Sequence, residues 1–331
     1  MHEAPSAAST APRDRLGELR GQLTLPLICA PMFLVSGPDL VIAACRNGVI
    51  GSFPAPNARP LDALDGWMAR IAAELAETRR TEPGRRVAPW SLNLVVHSSY
   101  DRLPAELELV ARHRPPIVIT ALGSPARVIE AVHGYGGLVF ADVGSIAMAR
   151  KAAQAGVDGL ILVSTGAGGH TGSVSPFVFV HAVRQFFDGI VVLAGGLCSG
   201  GAIRAAEVAG ADLADIGTLF IAARESLAAD DYRQMAVDAG VDDLVLTKAF
   251  TGANAYYLRR SVERSGLDPD NLSGKTAMDW KNSEQQLKAW KDIWSAGQSV
   301  SAVTRVEEAG EIIARLRAEY AQSLAMPSFG P

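Results

Sequence analysis

The sequence contains few cysteines and no surplus of basic residues, and these two absences limit what the protein can be. Its three cysteines, Cys29, Cys45 and Cys198, are an odd number without CxxC spacing among 331 residues. Such a set predicts the reduced, buried thiols of a cytoplasmic protein rather than a disulfide framework. The 31 basic and 35 acidic residues give a formal net charge of -4, which leaves no positive surplus for nucleic-acid phosphates.

Long apolar runs and the motifs of two hydrolase classes are missing as well. No run reaches the roughly 18 apolar residues of a membrane-spanning helix, and residues 1–15 lack the apolar centre of a signal peptide. Neither HExxH spacing nor a GxSxG motif occurs, so nothing favours a zinc protease or a serine hydrolase. We therefore expect a cytoplasmic protein with no metal, no membrane partner and a disordered tail at residues 1–20.

What the sequence does contain is a regular alternation of short apolar runs with segments of helical spacing. Hydrophobic residues make up 48% and aromatic residues only 6%, which favours an α/β core of Ala, Val, Leu and Ile. Eight apolar runs are interpreted as strands: residues 25–32, 49–53, 91–96, 117–122, 138–143, 159–163, 190–194 and 214–220. Their number and spacing predict a (β/α)8 TIM barrel over residues 21–227, although a doubly wound open sheet uses the same alternation.

The alternation stops after the eighth run. Residues 228–297 are more polar and carry most of the late aromatic residues, and we interpret them as a helical lid domain inserted over the barrel mouth. Residues 298–325 are expected to return to the barrel as a helix, since five apolar residues there follow helical spacing. These residues are Val303, Val306, Ile312, Ile313 and Leu316.

Residues 164–172, with the sequence STGAGGHTG, follow the sixth run and contain the strongest candidate for a catalytic group. In α/β barrels the loops after the strands form the active-site face, and glycines let backbone N–H groups come close to a ligand. His170 is the one strongly titratable side chain here, and a neutral imidazole can accept or donate a proton near pH 7. We interpret His170 as a general base or hydrogen-bond donor; a tight turn without chemistry is the structural alternative.

Glycines at the ends of the seventh and eighth runs predict a phosphate site. Gly195 and Gly196 follow one run, and Gly217 and Thr218 follow the next. Backbone N–H groups and helix dipoles at these two loops bind phosphate in barrels, and a flavin mononucleotide phosphate would fit them. Ordinary helix-entry turns are the alternative. A Rossmann NAD site is not favoured, because Thr171 stands where the third glycine of GxGxxG belongs.

Three further polar residues lie where contacts of the site are expected. Asn93 is an amide inside an apolar strand, where burial without a partner would cost about 1–3 kcal/mol, so we expect a ligand or backbone partner for it. Asp142 ends the fifth strand and either faces the site or caps the next helix. Gln298 lies in a turn of small residues that re-enters the barrel, and is either a turn residue or a flavin contact.

Five of these segments, taken in order, resemble the nitronate monooxygenase family, formerly called 2-nitropropane dioxygenases. The likeness extends over about residues 25–320, and AGGH is its most specific motif. The five segments are residues 30–32 (APM), Asn93, residues 167–172 (AGGHTG), residues 194–196 (AGG) and residues 216–218 (IGT). The family is itself similar to the flavin-dependent enoyl-acyl-carrier-protein reductases of type II.

The resemblance implies a noncovalently bound FMN and the oxidation of alkyl nitronates, or of nitroalkanes, by O2 to a carbonyl compound and nitrite. His170 matches the family's catalytic histidine, which hydrogen-bonds the nitronate or takes the α-proton of a nitroalkane. Three residues match positions that line the isoalloxazine: Pro31, Met32 and Asn93. Four match contacts to the phosphate and ribityl chain: Gly168, Gly196, Gly217 and Thr218. The expected FMN site is completed by Asp142, Gly169, Gly195 and Gln298.

Three positions depart from the family pattern. The family usually has a polar residue where Val163 stands, often has Glu where Gly166 stands, and in some members has a flavin-contacting Lys near Asp142. A carboxylate in place of that Lys would change the local charge and with it the flavin potential. We therefore expect a substrate preference that differs from that of the best-known members.

Two other functions stay open at this point. The first is an NADH- or NADPH-dependent flavin enoyl reductase on the same scaffold, which pyridine nucleotide would reduce rapidly. The second is a flavin-binding barrel without activity that serves as an interaction module, and the intact His170 argues against it. A homodimer is one alternative for the oligomeric state.

Overall fold

The computed structural model describes residues 12–272 and 293–326, and its main feature is a closed parallel barrel. The strands are β1 (Leu27–Cys29), β2 (Ile50–Pro54), β3 (Trp90–Val95), β4 (Ile117–Ala121), β5 (Leu138–Val143), β6 (Gly159–Val163), β7 (Gly169–His170), β8 (Ile190–Ala194), β9 (Leu213–Ile216), β10 (Leu244–Thr247) and β11 (Ala255–Leu258). The ring order is β1-β2-β3-β4-β5-β6-β8-β9, and β9 pairs in parallel with β1. Closure confirms the predicted TIM barrel and excludes the doubly wound open sheet.

Helices follow the barrel strands and cover the outside of the sheet. They are α1 (Pro12–Gly21), α2 (Pro38–Arg46), α3 (Leu61–Thr81), α4 (Leu103–His113), α5 (Ala126–His133), α6 (Ile146–Ala155), α7 (Pro176–Arg184), α8 (Gly200–Val208), α9 (Thr218–Ile221), α10 (Asp230–Asp238), α11 (Arg259–Arg264) and α12 (Ala309–Leu324). The C-terminal helix α12 packs against α8 and α2. It therefore occupies the position of the last outer helix of the barrel.

The N-terminal helix α1 closes the bottom of the barrel. Leu16, Leu19 and Leu23 are buried and join one apolar cluster with inward-facing barrel residues such as Ile28 and Ile161. The expectation of a disordered tail at residues 1–20 is thus wrong from Pro12 onwards. The physical reason is that these leucines follow helical spacing and cover the apolar N-terminal end of the barrel.

A small antiparallel sheet connects residues 228–297 to the histidine loop. Its strand order is β10-β11-β7, with Ala255 opposite His170 and Tyr256 opposite Gly169. The segment was expected to be helical, and besides α10 and α11 it contains these two strands, so a wholly helical lid is wrong. The strand runs LVLT and AYYL are rich in β-branched and aromatic residues, which favour a sheet. Residues 273–292 of the expected lid lie outside the described residues.

Candidate active site

The barrel interior becomes polar towards the carboxyl ends of its strands. Ser52 and Ser91 are fully buried and hydrogen-bonded to each other. Asn93, two residues beyond Ser91 and on the same face of β3, is 7% exposed, and its amide donates to the Ile119 carbonyl oxygen at 3.5 Å. Asn93 therefore has the backbone partner that was expected. The contact is long, so the amide retains capacity for a ligand at the barrel mouth.

His170 lies at this end of the barrel, because its loop begins where β6 ends. The loop is held to the barrel by hydrogen bonds: Ser164 Oγ donates to the Ala194 carbonyl at 2.6 Å, and Thr165 N donates to the Val174 carbonyl at 3.0 Å. On its outer side, Thr171 N donates to the Asn254 carbonyl at 2.9 Å. The histidine is thus fixed from two directions, by the barrel and by the small sheet.

The imidazole of His170 is half-buried and neutral at pH 7. Its Nε2 lies 3.1 Å from Oγ1 of Thr251, which is 4% exposed. Burial penalises the imidazolium and lowers the pKa of His170 to about 4. A neutral imidazole can accept a proton or donate a hydrogen bond, as both catalytic interpretations require.

The two glycine loops expected to hold phosphate lie side by side at the barrel mouth. Gly195 and Gly196 follow β8, Gly217 and Thr218 follow β9, and these two strands are neighbours in the barrel. Gly196 is exposed with φ of +70°, and the nearest atom to a Cβ built on it is the Thr165 carbonyl oxygen at 4.0 Å. An open space therefore lies beside a backbone that favours glycine, as a phosphate cradle requires.

The helix after the first of these loops contributes less positive potential than the sequence predicts. The amide of Gly200, at the start of α8, donates to the Glu319 carboxylate of α12 at 2.8 Å. This carboxylate already satisfies one N-terminal N–H of α8 and offsets part of its dipole. Phosphate binding here would therefore depend mainly on the glycine loops themselves.

Thr218 and Gln298, two of the expected contact residues, connect four segments of the chain through hydrogen bonds. Thr218 Oγ1 accepts a hydrogen bond from Gly297 N at 2.9 Å, and Gly297 in turn lies close to the Gly168 backbone. Gln298 N donates to the Gly166 carbonyl at 2.9 Å, and its side-chain amide donates to the Tyr256 hydroxyl at 3.0 Å. Gln298 is therefore a structural link, and its exposed side chain and the Gly196 amide both lie beside Gly166.

The Gln298 contact and the backbone conformation also favour glycine at position 166. Gly166 has φ of +89°, and a Cβ built on it would lie 2.7 Å from Gln298 Oε1. A larger residue would be strained and would displace Gln298. Val163, the second departure, ends β6 and is half-buried beside the apolar interior.

Met32, in the loop after β1, contacts Gly217, in the loop after β9. Gly217 lies against Met32, because a Cβ built on Gly217 would be 3.2 Å from Met32 Sδ. Met32 is held by its backbone, which donates to Ser36 Oγ at 3.0 Å and accepts from Asn57 Nδ2 at 3.0 Å. Pro31 is half-buried beside it. The structure thus brings Met32 to the glycine loop after β9.

Two carboxyl groups lie inside the barrel, and the sequence indicated only one of them. Burial raises the pKa of Asp142 to about 7. Asp215 of β9 is 9% exposed, and burial together with the charge of Asp142 raises its pKa well above the usual range. Its Oδ1 has no hydrogen-bond partner among the described residues. The alternative that Asp142 caps a helix is wrong, because Ser145 caps α6.

Sequence reasoning missed three residues around this site: Asp215, Thr251 and Tyr256. Asp215 could have been found, since it lies two residues before Gly217 in an apolar strand, as Asp142 lies near the end of β5. Thr251 and Tyr256 gave no signal, because they reach His170 and Gln298 only through the pairing of β11 with β7.

Two features are absent from residues 12–272 and 293–326. No helix in these ranges has the length and apolar character that crossing a membrane requires. No cluster of three or more His, Cys, Asp or Glu side chains there could hold a metal ion.

Known proteins resemble this chain over most of its length. The family model described as nitronate monooxygenase matches residues 20–319. A nitronate monooxygenase of Paraburkholderia phytofirmans is 26% identical, with 90% of this chain and 93% of the relative covered.

Two solved structures have the same architecture over nearly their whole length. A nitroalkane oxidase of Streptomyces ansochromogenes is 25% identical, with a TM-score of 0.77 and coverage of 93% of this chain and 99% of that one. FabK of Thermotoga maritima is 22% identical, with a TM-score of 0.74 and coverage of 94% and 97%, a likeness of fold. The chain belongs to the nitronate monooxygenase family and is an oxidoreductase, and the chemistry of that family implies a flavin.

Proposed function

We propose that the protein uses FMN to oxidise alkyl nitronates, and nitroalkanes once they are deprotonated, with O2 to a carbonyl compound and nitrite. The observation that carries this proposal is the position of His170. A neutral imidazole stands at the mouth of the barrel, in the same group of loops as Gly196 and Gly217. Family membership and the likeness to a nitroalkane oxidase support nitro compounds as the substrate class.

The residues present fit an FMN. The open side of Gly196 and the adjacent Gly217 offer a backbone cradle for the phosphate, and the hydroxyl of Thr218 accepts from Gly297 yet still has a proton to donate. Met32 and Pro31 supply an apolar surface beside them, suited to a flat ring system. Bound FMN would supply the electron acceptor for the oxidation.

The protein's own groups would bind the substrate and handle its proton. Neutral His170 would hydrogen-bond a nitronate or accept the α-proton of a nitroalkane. Asp142, with its pKa raised to about 7, would present a partly protonated carboxyl where some relatives have a lysine. A carboxyl group in place of a cation would make the flavin potential more negative, and this suits an oxidase that reacts with O2.

We propose that the protein acts in the cytoplasm and that its partners are a small nitronate and O2. Cys29 and Cys45 support a reducing compartment, since both are free and buried.

The proposed function is tested by a visible absorption spectrum of the purified protein, followed by two anaerobic additions. Propionate 3-nitronate is expected to bleach the flavin absorbance, whereas NADH should bleach it slowly or not at all. Fast bleaching by NADH and none by nitronate would replace the proposal with the enoyl reductase. A protein that is colourless and cannot take up FMN would refute both.

The FMN site is tested separately with Gly196→Val. A side chain at φ of +70° would fill the open space and strain the loop, so we expect FMN to be released. Gly210→Val is the matched control, because Gly210 also has a positive φ, +107°, but lies at the other end of the barrel, before β9. Full FMN occupancy in Gly196→Val would remove this loop from the phosphate site.

A further inference from the structure

The side chain of Asn57 holds the barrel loop that carries Met32. Asn57 lies in the short helical turn after β2, and its amide group contacts the backbone of the loop after β1. Oδ1 accepts from Leu34 N at 2.8 Å. Nδ2 donates to the Met32 carbonyl at 3.0 Å and to the Ser36 carbonyl at 2.8 Å. One side chain on the second barrel loop therefore fixes the first loop at three points.

These contacts require an amide in one orientation. An asparagine side chain has one acceptor oxygen and two N–H hydrogens. In Asn57 the oxygen faces a backbone N–H and the nitrogen faces two carbonyl oxygens, so each contact pairs a donor with an acceptor. A flipped amide or a carboxylate would place an acceptor against the carbonyls of Met32 and Ser36. Only the observed orientation satisfies all three contacts.

The loop needs this support because Leu34 has an unfavourable backbone conformation. Its φ is +60°, in the left-handed region that leucine rarely adopts. Residues in that region are kept there by their surroundings, and they cluster at ligand sites. At Leu34 the N–H itself is bound by Asn57. Without Asn57 we expect Leu34 to return to a negative φ and the loop to change its course.

The position of this loop determines where the side chain of Met32 lies. Met32 Sδ would be 3.2 Å from a Cβ built on Gly217, in the glycine loop after β9. Both residues belong to the expected FMN site, Met32 beside the ring system and Gly217 beside the phosphate. A change in the course of the first loop would therefore remove the apolar surface that Met32 offers.

We propose that Asn57 is a positioning residue of the FMN site, which holds Met32 against the glycine loop after β9. The inference rests on the proposed function for the identity of the ligand. Because both N–H hydrogens of Asn57 bond the loop, its effect on FMN binding is expected to pass through Met32. Loss of Asn57 should therefore matter only while Met32 is present.

The position of Met32 is measured by methyl NMR of the full-length protein without FMN, labelled with 13C-methyl methionine. The chain has seven methionines, and the Met32 signal is assigned by its absence in Met32→Leu. We expect the shift of a fixed side chain in the wild type and the shift of a freely rotating one in Asn57→Ala. A freely rotating Met32 in the wild type, or an unchanged signal in Asn57→Ala, would overturn the inference.

Two further variants complete the NMR experiment. Asn47→Ala is the matched control, since Asn47 Nδ2 also donates to a backbone carbonyl, that of Ala43, but lies before β2 at the other end of the barrel. It should leave the Met32 signal unchanged. Asn57→Asp serves if Asn57→Ala does not fold, because it keeps the acceptor for Leu34 N but lacks both donors. A wild-type Met32 signal in Asn57→Asp at pH 8 would refute the proposal.

FMN binding tests the route through Met32 with a double-mutant cycle. Asn57→Ala is expected to raise the Kd for FMN roughly tenfold, because the affinity is scaled by the fraction of molecules that keep the loop in place. Added to Met32→Ala, the same change should raise the Kd by less than about twofold. Fold-changes that multiply would refute the positioning role. If the wild type does not bind FMN, the proposed function fails, while the methyl signal still decides whether Asn57 positions Met32.

Discussion

At the scale of single residues, His170 combines a fixed position with a neutral side chain. The barrel and the small sheet hold its backbone, and burial lowers its pKa to about 4. His170→Ala would remove the proton acceptor without touching the glycine loops. We expect FMN to remain bound and turnover of a nitroalkane to fall by about two to four orders of magnitude.

The measurement is steady-state nitroethane oxidation together with the FMN content of the purified variant. His181→Ala serves as the control, because His181 is an exposed histidine of α7. Unchanged turnover in His170→Ala would exclude this residue from the mechanism. Loss of FMN in the variant would instead give it a role in cofactor binding.

The raised pKa of Asp142 should make the free energy of unfolding depend on pH. Its pKa is about 7 in the folded protein, against an ordinary value near 4 in the unfolded chain. The folded state therefore holds a proton that the unfolded state releases, and wild-type stability decreases as the pH rises from about 4 through 7. Asp142→Asn abolishes this loss. The variant should be more stable than the wild type by on the order of 2 kcal/mol at pH 8 and by less at pH 5.

Urea unfolding of the FMN-free protein at pH 5 and pH 8 checks this prediction. Asp188→Asn, a change at an exposed carboxylate, is the control and should show no such difference. A gain for Asp142→Asn that is equal at both pH values would mean that the carboxyl ionises normally in the folded protein.

Among the helices, α1 was expected to be part of a disordered tail, yet its buried leucines pack against the bottom of the barrel. Leu19 is 4% exposed and lies in the apolar cluster at the bottom of the barrel. Leu19→Ala should lower the free energy of unfolding by about 2–5 kcal/mol, the usual cost of a cavity at a buried leucine. Glu18→Ala, on the exposed side of the same helix, should change it little. Equal urea midpoints for the two variants would contradict a structural role for α1.

Periodicity in the sequence predicted the barrel but not the small sheet, and the difference has a physical origin. Each barrel strand is a local apolar run bounded by turn residues, so its pattern is complete within a few residues. The strand β7 has only two residues, Gly169 and His170, and exists because β11 pairs with it from far along the chain. No local pattern encodes such a pairing. The contacts of Thr251 with His170 were unpredictable for the same reason.

At the scale of the whole molecule, the barrel has a stabilising end and a chemical end. The N-terminal ends of the strands are apolar and closed by α1, while the carboxyl ends carry Asn93, Asp142 and Asp215. Residue types in the right order along the chain were sufficient to predict this second end and the family. They also indicated that Gln298 re-enters the barrel here, but they gave no sign of Glu319, whose carboxylate accepts a hydrogen bond from Gly200 far along the chain.

The C-terminal helix α12 completes the layer of helices outside the barrel. Four residues of α12 are buried where it meets α8 and α2: Ala309, Ile312, Ile313 and Leu316. The approach is so close that a Cβ built on Gly200 of α8 would lie 2.1 Å from the Leu316 carbonyl oxygen.

A chain ending at Glu308 would lose these contacts and expose the facing sides of α2 and α8. The three large side chains together contribute roughly 5–9 kcal/mol through burial, which approaches the total stability of about 5–15 kcal/mol of an ordinary domain. We expect this truncated chain to be insoluble or unfolded by circular dichroism, whereas a chain ending at Met326, which retains all of α12, should fold and bind FMN like the full-length protein. A folded, FMN-binding chain ending at Glu308 would show that the barrel closes without α12 and that the Glu319 contact to Gly200 has no part in shaping the phosphate loop.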